Sequence, residues 1–158
     1  KNISYKINMI IFVNKWDLSE NTDQIRKDFQ AMVVNELPYL NYYPFVFGSA
    51  LERHNIGKLF NLIPQVIKSG EQRVSTPQLN QFVEKVVKRN APTAAYGKAV
   101  KVFYATQAQS APPTFVFFLN SSDLVKPVYY RFLEKRLREY FGGFLGNFVD
   151  IVFRSRRE

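Results

Sequence analysis

Apolar positions run almost unbroken from Ile7 to Val13 and stop at Asn14, the pattern of a strand buried on both faces of a parallel sheet. Such a strand delivers a functional loop at its carboxyl end. Asp17 and the cap-like residues Ser19 to Asp23 follow, and then Ile25, Phe29, Met32, Val33 and Leu37 recur at helical spacing as far as Pro38. The unit repeats. Phe45, Val46 and Phe47 predict a second short strand, with Gly48, Ser49 and Ala50 as its exit loop. Ile56, Leu59, Phe60, Ile63, Val66 and Ile67 predict a second helix that Pro64 kinks or interrupts. This β-α-β-α succession is that of a doubly wound α/β layer, although two strands do not complete one.

The periodicity lapses between Ser69 and Ser75, which sets the expected boundary of two domains, 1–74 and 75–158. Beyond it, Thr76 reads as a helix N-cap with Pro77 at the first helical position, and Leu79, Phe82, Val83, Val86 and Val87 make one apolar face. Gly97 opens a strand over 99–107, Ala111 to Pro113 turn the chain, and Thr114 to Leu119 form a strand antiparallel to the first. Tyr129, Phe132, Leu133, Leu137, Tyr140 and Phe141 make a second helical stripe that Gly142 and Gly143 end, and the last strand spans 149–154. The predicted α-β-β-α-β order is a small α+β domain, with helices on one face of a three-stranded sheet.

Composition narrows the chemistry. The 158 residues are 46% hydrophobic, which excludes disorder as the default, and they include no Cys and one His. A disulfide scaffold, a thiolate zinc site, a Cys nucleophile and a multi-His metal site are thereby set aside. No apolar run approaches the roughly 20 residues of a membrane span, so a soluble protein without membrane contact is expected. The redox compartment stays open with the cytoplasm preferred, and a monomer is expected. Charge is uneven: residues 1–75 carry 9 Lys and Arg against 7 Asp and Glu, whereas residues 76–158 carry 13 against 6. The net +7 of the second half is the electrostatic footprint of a module that meets a phosphate-rich polymer or an acidic protein surface, unless it is merely a solvated basic face.

The sharpest chemical signal is Asn14-Lys15-Trp16-Asp17 directly after a buried strand. A guanine edge presents a ring N–H and an exocyclic amino group side by side, and one carboxylate accepts both, which an adenine edge cannot reciprocate. Asp17 would supply that selectivity. Asn14 would brace the loop, and the stem of Lys15 would lie over the purine face with its ammonium in water. Ser49-Ala50-Leu51 ends the next strand, where a small-residue turn lets a backbone N–H reach a carbonyl such as guanine O6.

These residues resemble the fourth and fifth guanine-nucleotide motifs of the translation-factor-type GTPases. The remainder resembles the C-terminal region of the EngA (Der) family, bacterial GTPases with two tandem G domains and a KH-like domain. That likeness is carried by Tyr104-Ala105-Thr106-Gln107, Pro112-Pro113-Thr114-Phe115-Val116, Tyr130-Arg131-Phe132-Leu133-Glu134, Leu137-Arg138-Glu139 and Arg154. The resemblance implies the end of the second G domain over 1–74 and the KH-like domain over 75–158. It also implies GTP or GDP as ligand, with Mg in the full-length protein, and a role in assembly or stability of the large ribosomal subunit. The expected partners are the ribosome's large subunit or its rRNA and the missing N-terminal G domain in cis.

The departures are equally informative. No G-x-x-x-x-G-K-S/T occurs and no D-x-x-G precedes Asn14, so the phosphate cradle and the Mg ligands are absent from this chain. With no initiator Met either, a catalytically inactive piece of a longer protein is expected. Gly143-Phe144-Leu145-Gly146 has the G-x-x-G spacing of RNA-clamping KH loops, but a strand follows within a few residues, so a glycine-rich helix stop is the better reading. Gly146-Asn147-Phe148 stands where the family usually has Gly-Thr-Pro, which leaves the turn into the last strand open. RNA contact would then rest on Lys98, Lys101, Arg131, Lys135, Arg138, Arg154, Arg156 and Arg157. His54 reads as a surface residue, and Phe115, Phe117, Phe118, Phe132 and Phe141 as core. The competing readings are a stand-alone basic interaction module and the C-terminal end of an Era-type GTPase.

Overall fold

The computed structural model describes residues 7–20, 22–91 and 100–156. By contacts the chain divides into two units, one made of Ile7–Gly70 with Leu145–Asn147, the other of Glu71–Phe144 with the residues from Phe148 onward.

In the first unit, β1 (Ile11–Val13) and β2 (Phe45–Phe47) pair in parallel, with Ile11 beside Phe45 and Val13 beside Phe47. Helix α1 (Asp23–Glu36) connects them and α2 (Ile56–Gly70) follows. Thr22 caps α1 by accepting the Ile25 N–H at 3.2 Å, and α2 passes through Pro64 without ending. The first strand is shorter than its apolar run predicts, because only Ile11–Val13 find a partner on β2. It is also half-buried rather than covered on both faces. Its second edge has no neighbouring strand among the described residues, and α2 leaves Phe60, Ile63 and Ile67 exposed at helical spacing. The tripeptide Leu145–Asn147 belongs here through hydrogen bonds. The Met9 N–H donates to the Gly146 carbonyl, the Gly146 N–H to Tyr42, and the buried Asn147 amide to Val66, at 2.9, 2.9 and 2.8 Å.

The second unit opens with α3 (Thr76–Phe82), which continues as a π-helical turn over Val83–Val87. Its cap is Ser75, one residue before the Thr76 expected from sequence. Ser75 and Gln78 bond reciprocally in a capping box, so Thr76 is already the first helical residue. Strands β3 (Val102–Gln109), β4 (Thr114–Leu119) and β5 (Asp150–Ser155) form one sheet in that order, β3–β4 antiparallel and β4–β5 parallel, with α4 (Pro127–Phe141) as the crossover between the parallel pair. The Gly97 and Ala99 start expected for β3 lies outside the described residues, and the strand runs two residues further than predicted, to Gln109. Leu79, Phe82, Val83 and Val87 from the first helical segment and Leu133 and Leu137 from α4 pack against Phe115, Phe117 and Leu119 of β4, all nearly inaccessible to water. The alternation along β4 puts Phe118 out of that core, where it stacks on Tyr104 at 4.5 Å between centroids. Gln107 is the buried polar clamp of the unit, accepting the Val74 N–H at 2.7 Å and donating to the Gln72 carbonyl at 3.0 Å. Burial pushes the pKa of the Tyr129 hydroxyl upward while it donates to the Asn90 carbonyl.

Gly142 ends α4 in the left-handed conformation, and β5 begins at Asp150 without an intervening helix. The G-x-x-G spacing is therefore a helix stop rather than a clamp between two helices. Among the described residues no helix is long and apolar enough to cross a membrane.

Candidate functional site

The carboxyl ends of β1 and β2 lie side by side, and the two sequence motifs follow them immediately. Backbone bonds continue the pairing beyond the strands. The Gly48 N–H donates to the Val13 carbonyl at 3.0 Å and the Trp16 N–H to the Gly48 carbonyl at 2.9 Å. Asn14 then joins the loops directly, its Oδ1 accepting the Ala50 N–H at 2.9 Å across 36 residues of sequence. Lys15 sits in the left-handed region at φ 59°, a conformation that costs a non-glycine residue about 1 kcal/mol and persists because its neighbours are fixed. The fixing group is Trp16. Its buried indole packs edge-on to Phe29 at 5.6 Å and tilted to Phe47 at 4.5 Å, while a short 3-10 turn over Trp16–Leu18 holds Asp17 in solvent. The lone Trp is a residue that reading the motif as N-K-x-D passes over, although its position after a strand was the available signal.

The second loop is held by its own polar groups. Buried Ser49 donates its N–H to the His54 carbonyl and accepts the Glu52 N–H on its hydroxyl, both at 3.2 Å. Asn55 donates to the Phe47 carbonyl at 2.7 Å. Ala50, Leu51 and His54 are exposed. Trp16, Asp17, Ser19, Glu52 and His54 line a hollow of about 180 Å³. A larger cleft of about 540 Å³ runs between α1 and α2 along β2 and contains none of the motif residues. Asp17 is exposed on the turn that buried Trp16 anchors, so its carboxylate can accept hydrogen bonds from a ligand at this rim. No cluster of three or more His, Asp or Glu able to hold a metal occurs among the described residues.

Gly48 keeps the loops together through space rather than torsion. A Cβ there would press into the His54 carbonyl oxygen, far inside contact distance, and onto the Phe12 ring. Gly48→Ala is expected to destabilise the first unit by about 1–3 kcal/mol, read as a lower midpoint in a denaturant melt, because backbone rather than a flexible side chain has to move.

Among the described residues, the basic side chains expected to meet RNA are divided between the sheet and α4 of the second unit. Lys98 and Arg157 lie outside the described residues. Lys101 is exposed over the Phe103 ring at 5.4 Å, Arg156 over the Tyr104 ring at 5.7 Å, and Arg154 is exposed in register with Phe118. Arg131 and Lys135 are exposed on α4, Lys135 at 4.0 Å from Glu139. Arg138 departs from the expected set. It is 8% exposed, forks onto Glu134 at 2.8 and 3.1 Å and donates to the Phe144 carbonyl at 2.8 Å, so its charge is spent inside the unit. Lys85, Arg89 and Arg136, absent from the sequence-derived set, share a separate cleft.

The fold and motif geometry define part of a GTP-binding domain followed by a KH-like domain. The sequence model of the KH-domain-like C-terminal domain of EngA bacterial GTPase enzymes matches residues 73–154, and that of the elongation factor Tu GTP binding domain matches residues 2–69. GTPase Der of Alkaliphilus oremlandii is 37% identical over 148 residues, covering 94% of this chain and 33% of that protein. GTPase Der of Natranaerobius thermophilus is 38% identical over 149 residues, 94% of this chain and 34% of that one. The chain thus belongs to the EngA family of bacterial GTPases, and it spans about a third of the length of these relatives. A solved structure of Aquifex aeolicus Era aligns over 94% of this chain and 56% of that chain at 14% identity and a TM-score of 0.30, too low to bear on the fold.

Proposed function

We propose that this chain is the guanine-reading end of a GTPase domain joined to a KH-like RNA-binding module, within a cytoplasmic protein that acts in assembly of the large ribosomal subunit. The observation that supports it best is the Asn14 to Ala50 hydrogen bond, which draws two motifs 36 residues apart into one rim at the ends of adjacent parallel strands. On this reading Asp17 accepts the guanine ring N–H and amino group, Lys15 covers the purine face and the Ser49-Ala50-Leu51 loop meets the base carbonyl. GTP or GDP is the ligand, and Mg is held by residues of the longer protein. The base-reading rim orients the nucleotide. Hydrolysis needs groups around the phosphates that this sequence does not contain.

The chain by itself is accordingly expected to show no single-turnover GTP hydrolysis and only very weak nucleotide binding, checked by quench-flow with labelled GTP and by equilibrium titration with GDP. Hydrolysis by this polypeptide would refute the division of labour between base reading and phosphate chemistry.

A further inference from the structure

The KH-like unit carries a cationic cleft on its helical side, distinct from the arginines of its sheet. The π-helical turn Val83–Val87 and the short 3-10 turn Lys88–Asn90 that follows it bring Lys85, Arg89 and Asn90 opposite Arg136, Glu139 and Tyr140 of α4, around a hollow of about 460 Å³. Turns of altered pitch in a helix are frequent where a surface does something other than pack.

The charges in this hollow are not cancelled. Lys88, not Lys85, takes the Glu84 carboxylate. Glu139 is held by Arg136 at 3.1 Å and approached by Lys135 at 4.0 Å. Lys85 and Arg89 have no carboxylate partner among the described residues, and both are exposed. Three cations against one carboxylate leave the cleft at net +2. Its frame is fixed by neutral contacts. Tyr140 packs edge-on to Phe82 at 5.3 Å, the Asn90 amide donates to the Val86 carbonyl at 2.8 Å, and the Tyr129 hydroxyl donates to the Asn90 carbonyl at 3.0 Å. A hollow edged by the unpaired Lys85 and Arg89, with more polar than apolar lining, suits an anionic backbone rather than an apolar ligand.

We propose that this cleft, through Lys85 and Arg89, holds the phosphate backbone of RNA. The proposal rests on the reading of the C-terminal unit as an RNA-binding module and names the face that does it. Arg156 and Lys101, on the sheet side, lie over the rings of Tyr104 and Phe103 and serve as the comparison face.

The test is equilibrium binding of the whole chain to an oligouridylate strand and to an RNA duplex of mixed sequence across a salt series. The variants are Lys85→Gln/Arg89→Gln, the charge-keeping Lys85→Arg/Arg89→Lys, and Arg154→Gln/Arg156→Gln, each checked for an unchanged melt. Neutralising two phosphate contacts is expected to reduce the slope of log K against log salt by about 1.4 on the strand or about 1.8 on the duplex. The charge-keeping pair restores the slope, and the sheet pair changes it less. RNA binding by the wild-type chain with an unaltered slope in Lys85→Gln/Arg89→Gln overturns the cleft while leaving the RNA reading intact. No binding of either RNA by the wild-type chain overturns both. Equal loss of binding to polyglutamate in the neutralised variant marks a generic polyanion or acidic-protein site and also overturns the assignment to RNA.

Discussion

On the proposed reading, Asp17→Asn in a GTPase of this family that carries this region is expected to move nucleotide preference from guanosine to xanthosine diphosphate, a swing of at least about a hundredfold in relative affinity. On the proposed reading the carboxylate accepts two donors from the guanine edge, whereas the amide offers one acceptor and one donor, which matches a base carrying a carbonyl where guanine has its amino group. The fold should not interfere with the readout. Asp17 is exposed, and the turn that carries it is anchored by the Trp16 indole and the Asn14 brace rather than by its own side chain. Competition of the two diphosphates on one preparation measures the swing, and unchanged guanosine selectivity removes Asp17 from its role.

Arg138→Ala is expected to destabilise the KH-like unit by about 3 kcal/mol, followed as a shifted denaturant midpoint. Removing the guanidinium leaves the Phe144 carbonyl and the partly buried Glu134 carboxylate without the bonds they make to it. Arg138→Lys should recover only part of the loss, since an ammonium cannot span both partners in a fork. Equal stability with a lost RNA affinity would instead return Arg138 to the surface set in which its sequence spacing first places it.

That misplacement shows where one-dimensional pattern runs out. Glu134 and Arg138 stand four apart on a helix, which is how a solvated pair looks. Only the chain's turn at Gly142 and the left-handed Phe144 bring a carbonyl onto the guanidinium. The Lys85, Arg89 and Arg136 cleft was invisible for the same reason, because it exists only where two helices meet. Local chemistry was more readable. β2 and β4 lie where the apolar runs put them, and the β3–β4 pair is antiparallel as expected. The cap slipped to Ser75 because the decisive partner, Gln78, counts three residues from Ser75 and not from Thr76. Phe118 reads as core from its spacing and neighbours, whereas a period of two along β4 alternates it away from Phe115 and Phe117. The two motifs follow directly on β1 and β2 and so inherit their positions from the sheet, which is why their neighbourhood is readable from sequence.

The bond from the Ala50 N–H to Asn14 has a thermodynamic corollary. That donor is already satisfied before any base arrives, so a carbonyl taking it over exchanges one hydrogen bond for another and gains little net free energy there. The rim is then built to discriminate more than to hold. On the proposed reading, retention then rests on groups that meet the phosphates, so recognition and retention are separable.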